Sequence, residues 1–174
     1  MAFVLFLDRA RNESPMILSC TGHRPHRLGG YSLMVELRLQ RLASTFLERL
    51  VPSKVLTGMA LGWDTAVAHE CRLAQIPYVA VLPFPTQSKR WSMHARDRYY
   101  DLLRTAEDIH VVQDDPPAAG DVAAFHARNC WMVDNSEHLL ALWDGDATGG
   151  TYHCVLYALE RARPITNVWK EWVA

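Results

Sequence analysis

The stretch "KVLTGMALGWDTAVAHECRLAQIPYVAVLPF", Lys54 to Phe84, decides the fold. "KVLT" is a short apolar run that reads as a strand. "GMALGWD" turns the chain, and "TAVAHECRLAQ" continues with helical spacing. "PYVAVLPF" is a continuous, β-branched run, which predicts a strand buried on both faces. A strand, a helix and a second buried strand in that order predict parallel pairing with a helix crossing over.

The same alternation extends outward in both directions. Upstream, "MILSC" from Met16 is an apolar run followed by the loop "TGHRPHRLGGY". Leu39, Leu42, Phe46 and Leu50, with Ala43 and Leu47 beside them, give three turns of helical spacing. Pro52 stops that helix. Downstream come the loop "PTQSKRWS", a helix from about His94 to Thr105, and the strand "DIHVV". "QDDPPAAGD" reads as loop, "VAAFHARNCWMVDNS" as helix and "HLLALW" as a fifth strand. "TYHCVLYALERA" is a further helix, and "PITNVW" a sixth strand. The expected class is α/β, a three-layer sandwich with a mostly parallel sheet and helices on both faces.

Composition sets the outer bounds. The 174 residues suit one domain with a single core, expected over 16–174. Residues 1–15 carry "AFVLFL", which lacks the basic flank and small-residue cleavage site of a signal peptide and is too short to span a bilayer. They are expected to form an edge strand or a tethered extension. The net charge of −1, from 18 basic against 19 acidic residues, gives no basic excess for general nucleic-acid binding. Cys20, Cys71, Cys130 and Cys154 lack C-x-x-C spacing and fall within strands or helices. Buried free thiols and a cytoplasmic setting are expected. The eight histidines form no H-E-x-x-H or Cys/His ligand pattern, so no metal and no cofactor is expected.

An open parallel sheet binds its ligand at the carboxyl ends of its strands, so the loops there carry the functional expectation. Gly58 and Gly62 flank the start of a helix, where backbone amides can meet a phosphate; Asp64 is placed either to cap that helix or to face the ligand. Gly149, Gly150 and Thr151, after "DGDA" with Asp144, repeat the arrangement, and Thr151 is again a cap or a phosphate donor. Thr21, Gly22 and Arg24 open the first loop, and an arginine there suits bidentate recognition of phosphate or carboxylate. Lys89, Arg90 and Trp91 sit in the third loop, the tryptophan either stacking on a base or plugging the core. Arg128 and Asn129 lie on a helix, facing the cleft or solvent. The joint picture is a cleft for a phosphorylated small molecule. The sequence lacks the lysine of a P-loop, the G-x-S-x-G elbow and the dinucleotide G-x-G-x-x-G pattern.

These residues resemble the SLOG superfamily, most closely its YpsA-like branch. The carrying motifs are "TGHRPHRLGGY", "TGMALGWDTAVA", "VLPFPTQSKRW" and "FHARNCWMVDNSEHLLALWDG…GGT", and the resemblance spans roughly Met16 to Trp169. It implies a Rossmann-like domain whose pocket binds nucleotides or nucleotide-derived ligands. That superfamily includes anti-phage sensors, DNA-processing proteins and the LOG phosphoribohydrolases, which look like "R-K…P-G-G-x-G-T-x-E-E". By that resemblance Arg128 matches the catalytic arginine, Asn129 replaces the lysine, and Gly149, Gly150 and Thr151 form the phosphate loop. At the two glutamate positions stand His153 and Cys154.

Glycosidic cleavage passes through a cation-like sugar that a carboxylate stabilises. With that carboxylate replaced, the expected function is a nucleotide-ligand binder, acting as sensor, sequestering protein or regulator. The alternative is a nucleoside-phosphate hydrolase or transferase in which Asp64 or Glu70 supplies the carboxylate, with Arg128. Glu160, two turns farther along its helix, should point elsewhere. The expected partner is a small nucleotide-derived molecule, with no nucleic acid and no membrane. A homo-oligomer is also expected, since related folds commonly dimerise, with Trp131 and Trp172 as candidate exposed contacts.

Overall fold

The computed structural model describes residues 15–116, 118 and 122–174. The expected N-terminal edge strand or extension lies outside the described residues. Six strands run β1 (Ile17–Gly22), β2 (Lys54–Thr57), β3 (Tyr78–Leu82), β4 (Asp108–Val111), β5 (His138–Leu142) and β6 (Ile165–Asn167). Between them lie α1 (Leu33–Leu50), α2 (Trp63–Ala74), α3 (Met93–Thr105), α4 (Ala123–Asp134) and α5 (Gly149–Glu160), with a short α6 (Trp169–Val173) at the end. All pairings are parallel, in the order β4-β3-β2-β1-β5-β6. This is the expected Rossmann-like sandwich.

Side-chain alternation along each strand feeds two cores. Leu18 and Cys20 of β1 and Leu140 and Leu142 of β5 join Leu39, Phe46 and Leu47 of α1, Val67 and Cys71 of α2, and Tyr99 and Leu102 of α3. On the other face, Leu139 and Ala141 pack with Val133, Cys154, Val155 and Ala158. Leu56, Val79 and Val81 meet Met132 there. Each fully buried leucine in this arrangement contributes roughly 1.5–3 kcal/mol. Polar atoms on the second face pair with each other: Ser136 donates its hydroxyl to Ser19 Oγ at 2.8 Å.

Three boundary differences from the sequence reading have local causes. The last strand ends at Asn167, because the Val168 amide bonds Ala141 O at 2.8 Å and the chain turns into α6. That turn buries Trp172 at 6% exposure, with the Arg38 guanidinium 4.3 Å over its ring. Trp172 is therefore no exposed contact, and Trp131 is half-buried, stacked on His110 at 4.0 Å. Secondly, α2 and α5 start two residues earlier than expected. Gly62 and Gly149 take φ of +103° and +82°, a region open to glycine, and so admit the chain to each helix sooner.

Order in the sheet locates the site. From β1 the chain builds outward through β2, β3 and β4, then crosses to β5 on β1's other side. The crevice outside the carboxyl ends of β1 and β5 is the topological switch point.

Candidate ligand crevice at the switch point

The loops after β1, β2 and β5, with the inner side of α4, form this crevice. Gly22, at the end of β1, packs so closely that a Cβ there would sit 2.5 Å from Trp63 Cβ. Thr21 is buried and hydrogen-bonds the Cys154 thiol. After β2, the Thr57 hydroxyl donates to Asp64 O at 3.0 Å and accepts the Met59 amide at 3.3 Å. Met59 itself is held at φ +56°, a conformation that costs a non-glycine residue about 1–2 kcal/mol.

Arg128 is inside the protein, neither on the solvent face nor in open cleft. It is 5% exposed, donates Nε to Asn129 Oδ1 at 2.9 Å, and donates Nη1 to Gly58 O. Its Nη1 also lies 4.0 Å from Asp64 Oδ2. Asn129, equally buried, donates Nδ2 to Gly150 O at 3.1 Å. These neighbours on α4 therefore tie the Gly58 loop to the first turn of α5. Gly58 permits this closeness, since a Cβ there would fall 1.7 Å from Arg128 Nη1 and 2.8 Å from Asp64 Oδ2.

Asp64 is 4% exposed. Burial pushes its carboxyl above the ordinary range, against the opposing pull of Arg128, Arg24 and the Ala60 amide. Arg24 is the contrasting group. Burial lowers its guanidinium from the ordinary value while Asp64 pulls the other way. Yet its side chain makes no hydrogen bond or ion pair among the described residues.

The α5 end of the crevice is open. Gly149 and Gly150 are exposed, and the N-cap residue Thr148 makes no capping bond, giving its hydroxyl to Asp146 Oδ2 at 2.8 Å. The first-turn amides of α5 thus face outward beside a positive dipole end. Thr151, the expected cap, lies inside the first turn instead. Asp144 is committed to the scaffold. His23 Nε2 accepts its backbone amide at 3.1 Å and lies 2.8 Å from its Oδ1, and its Oδ2 takes Arg27 at 3.0 Å. Burial opposes ionisation there, but the Asp146 amide, His23 and Arg27 together hold the carboxyl below its usual range.

The third loop stands apart. Lys89 and Arg90 are exposed, and half-buried Trp91 packs edge-on against Tyr99 at 5.2 Å, beside α3. Gln87 links the two neighbourhoods, donating to Tyr99 Oη at 3.1 Å and to Gly58 O at 3.4 Å. No sequence signal separated Gln87 or Thr57 from other polar loop residues. Glu70 hydrogen-bonds its neighbour His69 at 2.8 Å and sits about 9 Å along α2 from Asp64. At the glutamate positions of the LOG motif, His153 stacks on His126 at 4.0 Å, and burial pushes the Cys154 thiol up to about 12. Cys20 and Cys71 are equally buried, whereas Cys130 is only partly so; all four thiols are free. Among the described residues no group of three or more His, Cys, Asp or Glu could hold a metal ion, and no helix is long and apolar enough to cross a membrane.

A parallel six-stranded sheet with glycine-lined loops at its switch point defines a Rossmann-like protein. More narrowly, the chain belongs to the YspA SLOG family (YpsA), whose model matches residues 18–164. It is similar to the SPbeta prophage-derived protein YoqJ of Bacillus subtilis, at 30% identity over 118 residues, covering 60% of this chain and 68% of YoqJ. Its fold is similar to DNA processing protein A from Helicobacter pylori, described for its single-stranded DNA binding mode, with TM-score 0.60 at 15% identity. That match covers 87% of this chain but only 64% of the Helicobacter protein. The molybdenum cofactor carrier protein of Chlamydomonas reinhardtii matches with TM-score 0.51 at 14% identity, over 87% of this chain and 75% of the carrier.

Proposed function

We propose that the chain binds a phosphorylated, nucleotide-derived small molecule in the switch-point crevice and leaves its glycosidic bond intact. The carrying observation is Arg24, a half-buried guanidinium with no hydrogen bond or ion pair among the described residues, in a crevice whose α5 amides are uncapped. An anion satisfies both at once. Phosphate would rest on Gly149, Gly150 and Thr151, with Arg24 opposite. Thr21, Gly22, Gly58 and Gly62 shape the floor, while Arg128 and Asn129 hold the two loops in register. A sensor, sequestering or regulatory role follows from binding without turnover, in a reducing cytoplasm that suits the four free thiols. Self-association is part of this proposal, through a surface other than Trp172.

Chemistry at the first turn of α5 supports binding over cleavage. His153 and Cys154 stand where the LOG motif has its glutamates, Cys154 stays protonated at neutral pH, and His153 is stacked on His126. One observation favours a second reading: Asp64 is a buried carboxyl raised in pKa beside two arginines, a combination that suits a general acid. Incubating purified protein with nucleoside monophosphates, cyclic dinucleotides and NAD-derived ribosides, then reading retained and free fractions by mass spectrometry, separates the two. Intact nucleotide retained in proportion to protein supports the binder. Free base beyond one equivalent, abolished by Asp64→Asn, supports the enzyme. Tight, salt-sensitive retention of a single-stranded oligonucleotide in place of nucleotides would overturn both.

A further inference from the structure

Beside the crevice, between the first turns of α1, α2 and α3, lies a cavity of about 520 Å³. Its apolar walls are Val35, Leu39, Leu61, Ala66 and Leu102, with Trp91 closing one side against Tyr99. The volume falls in the range of small-molecule sites, which are mostly apolar with a few orienting polar groups.

Those polar groups carry a sign. Glu36 is the acidic side chain in the lining, and it is already engaged: Arg98 pairs with it, and Gln40 Nε2 donates to its Oε1 at 3.1 Å. Arg90 also lines the cavity and has no ion pair among the described residues. One cation is therefore left over at the rim of an apolar, aromatic-walled space. A phosphate ester would meet a single free guanidinium here, against Arg24 and a set of backbone amides in the crevice.

We propose that this cavity is a second ligand site, adjoining the crevice at Gly62, for a flat aromatic anion of the aryl carboxylate or sulfonate class. The ring enters among Leu39, Ala66 and Trp91, and the anionic group meets Arg90 at the mouth. The proposal does not depend on what the crevice binds.

The probe is 2-naphthalenesulfonate, titrated into the full chain while the indole N–H resonances are followed by NMR. Trp91→Phe assigns the reporting resonance. We expect a saturable shift of Trp91 and roughly tenfold weaker binding both for Arg90→Gln and for the neutral 2-naphthalenemethanol, as loss of one charge-assisted contact predicts. Ala95→Trp, which places a ring in the cavity lining, should abolish binding, and Arg24→Ala should leave it unchanged. Should Ala95→Trp not fold, Arg90→Gln decides, because that exposed side chain bears no structural contact among the described residues. Equal affinity for the alcohol, no loss in Arg90→Gln, or no saturable Trp91 shift would each overturn the site. Arg24→Ala against the nucleotide pool fails or succeeds independently of all three.

Discussion

Helices α1 and α3 begin differently from α2 and α5. Ser32 accepts the Val35 amide and Ser92 the Ala95 amide, both at 3.3 Å, so these two helix starts are closed by their own chain. By contrast Gly62 and Thr148 provide no side-chain cap. The capped helices begin away from the β1/β5 switch, the uncapped ones beside it. A helix start costs about 1 kcal/mol to leave uncapped, and at the exposed first turn of α5 an anion of the kind proposed would offset it.

The largest expected effect tests the open side. Arg24→Ala should weaken the crevice ligand by about a hundredfold, the loss of a desolvated charge-assisted bond, measured by calorimetry. Its denaturation midpoint should move less, since Arg24 makes no hydrogen bond or ion pair among the described residues and only its longer-range pull on Asp64 is lost. Next, Gly58→Ala forces Arg128 off the Gly58 carbonyl and should cost roughly 2–3 kcal/mol in urea unfolding. Ser32→Ala and Ser92→Ala should each cost about 1 kcal/mol and leave ligand affinity intact. Thr148→Asp inverts the comparison: supplying a cap to α5 should raise stability by about 1 kcal/mol while the added negative charge weakens phosphate binding. Ligand affinity unchanged in Thr148→Asp would remove the distinction between the two helix pairs.

The smallest effect is a slope. Because the folded-state pKa of Asp64 is raised, folding favours its protonated form. That contribution is complete below the ordinary carboxylate value of about 4 and disappears as pH rises through the raised one. Asp64→Asn should flatten unfolding free energy against pH across that window and leave it unchanged below.

Strand and helix order was legible in the sequence because each buried strand is a continuous apolar run, as in Tyr78–Leu82, set between loops rich in glycine and proline. Glycine and arginine marked the crevice loops for the same reason: they are costly in a core and useful at an anion. What stayed hidden were directions. Arg128 and Asn129 sit side by side on α4, and nothing in "FHARN" says that both turn inward to hold loop carbonyls. Thr151 looked like the cap because the left-handed turn at Gly149 cannot be read from a letter. Trp172 looked exposed because a five-residue helix is too short to show a period. The cavity beside α3 is assembled from three helices, and no single segment announces it.

The pairing of β1 with β5 sets Leu18 against His138 and Gly22 against Leu142, partners that lie about two-thirds of the chain apart. Contacts so distant in sequence form late, because their loop-closure entropy must be met first. During synthesis β1 can pair with β2, and β2 with β3, while the other edge of β1 waits for β5 to leave the ribosome. The crevice does not exist until then, so the ligand proposed for it could be held only once this long-range pairing had been made.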